Sequence, residues 1–165
     1  MKIVVNASPL IFLAKIHKLE LLIELFEEVI IPMQVFAEVV TKGKEKGMND
    51  AFLIENFTGS SEKIKLKNVD IYGLEGLPMG EGEKAVIALA RKEGIDYVLI
   101  DERKARFFAK IFKLNPRGVF WIFSLACSKN IISKQELKKL VLRVVQEGYR
   151  IKEEILARFL AEIER

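Results

Sequence analysis

The chain has one cysteine, one histidine and four prolines in 165 residues. The lone Cys127 excludes an internal disulfide, and the surrounding FSLACSKN holds no base to activate a thiol. A core cysteine in a reducing compartment is the expectation. His17 has no second histidine to join it, so no zinc site can be assembled and KIHK reads as helix surface. No apolar run approaches the roughly 20 residues that a membrane span needs. The N-terminus MKIVVNASPL lacks the long apolar stretch and small-residue cleavage site of a signal peptide, which leads to the expectation of a cytoplasmic protein with no membrane attachment. GEGE has too few glycines, and no Lys-Ser or Lys-Thr after it, for a phosphate-cradling loop. Repeats, low-complexity tracts and proline-rich linkers are all missing. A large excess of one charge is missing too. Lys and Arg number 27 against 23 Asp and Glu, a net charge of +4 with a pI near 9.1. The two signs are mixed along the chain, so charge alone neither requires nor excludes a nucleic-acid partner.

What is present is the composition of one folded domain, residues 1–165. Hydrophobic residues make up 50% and charged residues 30%, and the length suffices for a buried core. The elements alternate. KIVVN (Lys2 to Asn6) is a short apolar strand, and Ser8 with Pro9 forms an N-cap and first-turn pair opening a helix through LIFLAKIHK. LELLIELF continues helically, EVII (Glu28 to Ile31) is a second strand, and Pro32 starts MQVFAEVV as a helix. TKGKEKGMN has the glycines and charges of an exposed loop, followed by a helix DAFLIENF and a strand KIKLKNV. A helix from Gly80 to Glu93 ends at Gly94, then come the strand YVLI and the helix ERKARFFAKIFK. Past NPRG the chain is helical in three further segments, VFWIFSLACSKN, SKQELKKLVLRVVQEG after the cap Ser133, and IKEEILARFLAEIER. Strands separated by helices imply right-handed crossovers and an α/β fold: a mostly parallel sheet of four or five strands with helices on both faces. In VFWIFSLACSKN, Phe120, Trp121 and Phe123 read as core or dimer surface before they read as a base-stacking platform.

Sheets of this type gather ligands beyond the carboxyl ends of their strands. Asn6 ends IVV and Asp101 ends YVLI, so on neighbouring strands the two side chains face one crevice. Glu83 heads the stripe Val86, Ile87 and Ala90 that faces the sheet, which places a carboxylate over the strand tips. Two carboxylates about 4 Å apart repel by roughly 4 kcal/mol at an effective dielectric near 20, and a divalent cation reverses that sign. Plainer readings exist for each acid. Glu83 can be a first-turn acid favoured by the helix dipole, Asp101 the N-cap of the following helix, and Glu38 a solvated acid beside its apolar face. Residue chemistry alone reaches a suspected carboxylate cluster.

These acids, in this order, resemble the pattern of PIN-domain ribonucleases. Glu38 fits the Glu in the helix after the second strand. Glu83, Ala88 and Ala90 fit the acid that opens a helix ending Ala-x-Ala, and Asp101 follows Ala90 by eleven residues, as the next acid of the pattern does. NASPLIFLAKIHKLELLIELF, IIPMQVFAEV, GEGEKAVIALA, DERKAR and GYRIKEEIL are similar to a PIN-like subgroup encoded in prokaryotes as toxins of toxin–antitoxin pairs. The resemblance implies metal-assisted hydrolysis of RNA phosphodiesters, with Glu38, Glu83 and Asp101 catalytic and these three plus Asn6 holding Mg²⁺ or Mn²⁺. Ser8 and Glu81 are the implied supporting residues, Glu81 equally a capping acid. Arg103 and Arg106 are the candidates to touch RNA phosphate, with surface ion pairs as their plainer role. The implied partners are RNA, a cognate antitoxin and a second copy of the chain.

One position departs from the pattern. The subgroup's first block resembles Asp-x-Ser-Pro-Leu, and this chain has Asn6. An amide carbonyl can ligate a hard cation but adds no charge. The alternative expectation is therefore a PIN-like module with weak or no catalysis, acting as a binding partner of an antitoxin or RNA. A phospho-acceptor receiver domain shares the layout, but it would need an acidic pair after strand one and a late lysine in the sheet. Neither is evident.

Overall fold

A computed structural model describes Met1–Arg165. Strand β1, Lys2–Val5, is the run KIVV, and its residues Ile3, Val4 and Val5 are all fully buried. Burial of successive residues means that both faces of the strand are covered, the signature of a parallel sheet between two helical layers. The other strands are β2 (Glu28–Pro32), β3 (Ile64–Lys67), β4 (Tyr97–Leu99) and β5 (Asn115–Arg117). All pairings are parallel and the order is β3-β2-β1-β4-β5. The chain builds outward from β1 to β3, then crosses back to add β4 and β5 on the other side. The reversal falls between β1 and β4, which is where such sheets open a crevice at their carboxyl ends.

The helices are α1 (Ala7–Lys15), α2 (Glu20–Leu25), α3 (Met33–Phe36), α4 (Lys42–Glu45), α5 (Asn49–Thr58), α6 (Glu81–Glu93), α7 (Arg103–Ile111), α8 (Val119–Ser128), α9 (Lys134–Gln146) and α10 (Glu153–Glu164). The crossover helix α6 packs on β1, β2 and β4, and α2 packs on β2 and α8. A single contiguous apolar core joins sheet and helices, with Phe26, Phe123, Leu10 and Ile87 among its fully buried side chains. Phe120 and Phe123 thus belong to the core. Trp121, half-buried, stacks on Tyr97 at 5.4 Å and lies 6.0 Å from Phe26, so little of this aromatic helix remains to cover a second copy.

Three local expectations need correction, and one strand is added to those read from the sequence. The first helix begins at Ala7, so its N-cap is Asn6 and Ser8 and Pro9 lie inside the first turn. Proline is tolerated there because the first-turn N–H groups have no intrahelical acceptor anyway. The stretch after Val40 is helical as well: α3 runs through a π turn at Ala37–Thr41 into α4. Its glycine serves packing here, since a Cβ on Gly43 would sit 2.9 Å from the Cβ of Ala51 in α5. Lys44 pairs with Glu55 of α5 at 2.9 Å, and the other charges face solvent. Third, β3 ends at Lys67, two residues short of KIKLKNV. The added strand is NPR, the edge strand β5. Pro116, which has no N–H to give, is acceptable on an edge, while the Arg117 carbonyl accepts from Ile100 N at 2.8 Å.

Candidate active site

The tips of β1 and β4 are tied together by Asn6 N, which donates to the Leu99 carbonyl at 3.0 Å. Asn6 and Asp101 therefore leave adjacent strands side by side, as their sequence positions lead one to expect. Asn6 is 4% exposed. Its side chain makes no capping bond to α1, so its amide is available to the crevice.

Asp101 does not cap α7; that position belongs to Glu102. Its Oδ1 instead accepts from Val119 N, the first residue of α8, at 3.0 Å, and from the Tyr149 hydroxyl at 2.6 Å. The positive end of α8 is thus turned on this acid. Asp101 Oδ2 is buried and has no hydrogen-bond partner. Burial pushes the Asp101 carboxyl up from its ordinary range, opposed by the bonds from Tyr149 and Val119 and by the charge of Arg106. The turn between β5 and α8 fits against it only because residue 118 is glycine: a Cβ there would stand 2.7 Å from Oδ1.

Helix α6 starts at Gly80, and Glu83 reaches back so that its Oε2 accepts from Gly80 N at 3.0 Å. Gly80 has no side chain to return the bond, so this is half a capping box. Glu83 is half-buried, and its pKa is pushed up to about 7. Burial is the largest cause, followed by a hydrogen bond to the Glu102 side chain, then by the negative charges of Glu102 and Glu38; the Gly80 N–H works the other way. Two carboxyls that hydrogen-bond each other share a proton. Glu38 lies in the π turn, the kind of helical irregularity found at functional sites. A Cβ on Gly82 would meet Glu38 Oε2 at 2.9 Å and Asn6 Oδ1 at 3.6 Å. Both polar heads therefore converge on the start of α6, and Gly82 makes room for them.

A cleft of about 560 Å³ opens at this point, walled by Asn6, Ser8, Glu38, Glu83, Asp101 and Glu102, with Phe12, Tyr149 and Arg150 on one flank. The DUF3368 family model, described as a PIN domain, matches residues 2–165. The chain belongs to the PIN-domain family. No curated protein matches it. PIN domains are nuclease-type domains that generally use divalent metal ions and bind RNA.

As its side chains stand, this PIN domain groups no three His, Cys, Asp or Glu residues to hold one ion. The reasons are visible: Glu83 is turned onto Gly80 and Glu102, and one oxygen of Asp101 is taken by Val119 and Tyr149. The donor set nonetheless fits a hard cation. It is all oxygen, it includes the buried, unpartnered Asp101 Oδ2, and a cation would relieve the repulsion from Glu102 and Glu38 that helps to raise the Glu83 carboxyl.

Asn6, Ser8, Glu38, Glu83 and Asp101 line the cleft of the PIN domain together. Glu81 is exposed in the first turn of α6 and outside the cleft wall. Arg103 is exposed and Arg106 half-buried near Asp101; neither forms an ion pair with an acid. Sequence reasoning missed Glu102, Tyr149, Phe12 and Arg150. Glu102 was findable, since it adjoins Asp101 in DERK. Tyr149 carried no local signal, because the contact it makes spans 48 residues of chain.

Proposed function

We propose that this PIN domain is a Mg²⁺- or Mn²⁺-dependent ribonuclease that hydrolyses RNA phosphodiester bonds, and that it is the toxin of a toxin–antitoxin pair. The observation that carries the reading is the convergence of Asn6, Glu38, Glu83 and Asp101 on one cleft at the switch point of the sheet, with Asp101 Oδ2 buried and unpartnered. Glu38, Glu83 and Asp101 supply the anionic ligands and Asn6 a neutral carbonyl. When bound, the divalent ion lowers the pKa of a water and offsets charge on the phosphate. The Glu83 carboxyl, pushed up to about 7 chiefly by burial, would serve as a ligand in its ionised form, so binding a cation there competes with a proton. Ser8, on the same wall, orients Asn6 or the substrate. Arg103, which pairs with no acid, and Arg106, which stands beside Asp101 without forming an ion pair, bind RNA phosphate. A cognate antitoxin blocks the cleft, and two copies of the chain associate.

The second reading, a binding module with weak or no catalysis, is favoured by Asn6 alone. One experiment separates the two. Mn²⁺ is titrated by calorimetry into wild type, Asn6→Asp and Asp101→Asn, and each protein is assayed for cleavage of single-stranded RNA. The ribonuclease reading expects cleavage by wild type, none by Asp101→Asn, and tighter Mn²⁺ binding with faster cleavage by Asn6→Asp. An inert wild type that Asn6→Asp restores would establish the binding-module reading. Equal Mn²⁺ affinity in wild type and Asn6→Asp would remove Asn6 from the ligand set.

A further inference from the structure

We propose that Tyr149 is a positioning residue that holds the Asp101 carboxylate with one oxygen engaged and the other presented to the metal. The inference rests on the ribonuclease reading above. Both protein donors to Asp101, Val119 N and the Tyr149 hydroxyl, act on Oδ1. Two bonds to one oxygen, from directions fixed by a helix terminus and a packed ring, settle the rotation of the carboxylate about its last torsion. Oδ2 is left buried with no donor at all. A buried acceptor without a partner is costly, and it persists here because the other oxygen is held so firmly.

Tyr149 is built to stay in place. Its ring stacks on Phe120 with centroids 5.2 Å apart and meets Phe12 edge-on at 5.2 Å. Its N–H donates to the Val144 carbonyl at 2.9 Å, and the chain turns toward it at Gly148, whose φ of 99° favours glycine. A phenol is neutral at neutral pH, so the hydroxyl is a donor there. Neutrality matters as much as geometry. A lysine or arginine bonded to Asp101 would compete with a divalent ion for the same charge, whereas a phenol aims the carboxylate without adding a cation of its own. The residue comes from the turn between α9 and α10, so the C-terminal helices help to complete a site whose acids all lie in the first two thirds of the chain.

The test uses Tyr149→Phe, which removes the hydroxyl and keeps the ring. Mn²⁺ is titrated by calorimetry into wild type, Tyr149→Phe, Asp101→Asn and Phe120→Leu. Loss of a residue that orients a ligand typically weakens metal binding by about 10-fold or more, and that is the expectation for Tyr149→Phe. Phe120→Leu loosens the same ring stack but keeps the hydroxyl; it should melt at lower temperature and lose clearly less Mn²⁺ affinity than Tyr149→Phe. Wild-type affinity in Tyr149→Phe, alongside weakened binding in Asp101→Asn, overturns the inference and spares the ribonuclease reading. Equal loss of affinity in Phe120→Leu and Tyr149→Phe overturns it as well, since packing rather than hydrogen bonding would then be the cause. If Asp101→Asn binds Mn²⁺ like wild type, the metal-site reading itself fails.

Discussion

At the scale of single residues, Glu83 carries the most legible energetics. Its pKa in the fold is about 7 against an ordinary 4.5. A carboxyl raised in this way binds a proton more strongly folded than unfolded, so its contribution to stability is fully present below pH 4.5 and is lost as pH rises through 7. Half of the group is open to solvent, which reduces the effect to on the order of 1 kcal/mol. The metal-free protein should therefore lose stability between pH 5 and pH 7.5, and Glu83→Gln should flatten that slope; urea melts in a chelator at several pH values read both. A slope unchanged by the substitution would mean that another group titrates. A cation has to displace the same proton, so Mn²⁺ affinity should rise with pH up to about 7 and then level off. In the sequence, Glu83 was recognisable from its place at the head of the apolar stripe of α6, and Asp101 from its place after YVLI. What could not be read was how each acid is satisfied. The partners of Glu83 are a backbone N–H and Glu102, and those of Asp101 come from α8 and from Tyr149. Those contacts arise from tertiary packing, which periodicity does not encode.

At the scale of elements, strands buried on both faces and amphipathic helices were readable because apolar runs and 3.6-residue stripes differ sharply in period. The misreadings share one cause: composition was taken for conformation. TKGKEKGMN has loop-like composition, yet α4 forms in it because Gly43 packs against Ala51, Lys44 pairs with Glu55 and the remaining charges face solvent. NPR is too short and too polar to give a strand signal, yet β5 forms as an edge strand that asks no hydrogen bond of Pro116. The π turn at Ala37–Thr41 left no trace that a regular period would reveal, and it is the element that carries Glu38. Glycines at element junctions set the spacing of the site, and two of them make opposite predictions. A Cβ on Gly82 would press chiefly on the flexible end of Glu38, which can swing away, and more lightly on buried Val35 at 3.3 Å, so Gly82→Ala should lower the melting temperature less than Gly118→Ala does and weaken Mn²⁺ binding. A Cβ on Gly118 would press on Asp101 Oδ1, which is short and held by two bonds. Gly118→Ala should destabilise by about 1–3 kcal/mol, the usual cost of overpacking, and impair cleavage too. Denaturant melts of both variants check the contrast; equal stability losses would contradict it.

For the whole molecule, charge and surface matter more than core. The family resemblance leads to an expected homodimer, which light scattering tests directly: only monomer at high protein concentration would refute it. Since Phe120 and Phe123 are buried, such a dimer has to use other surfaces. The face most clearly marked for a partner is α7, which leaves the cleft rim directly after Glu102. It carries Arg103, Lys104, Arg106 and Lys110 with no acid, and exposes Phe107 and Ile111 one turn apart. Paired symmetrically with itself this face would set cation against cation, but it suits a polyanion that also offers bases to an aromatic ring. The overall charge of +4 gave no hint of this, because acids elsewhere in the chain dilute a local excess. RNA held by its phosphates on α7 would release counterions, lowering log affinity in proportion to log salt by about 0.7 for each phosphate neutralised on a single strand. Replacing Arg103 and Lys104 together with alanine should thus weaken RNA binding at low salt and reduce the salt slope by roughly 1.4. Mn²⁺ affinity should not change, because neither side chain lines the cleft. The measurement is fluorescence anisotropy of a labelled single-stranded RNA, titrated at several salt concentrations with metal omitted so that nothing is cut. A slope equal to that of wild type would mean that RNA leaves the cleft by another face.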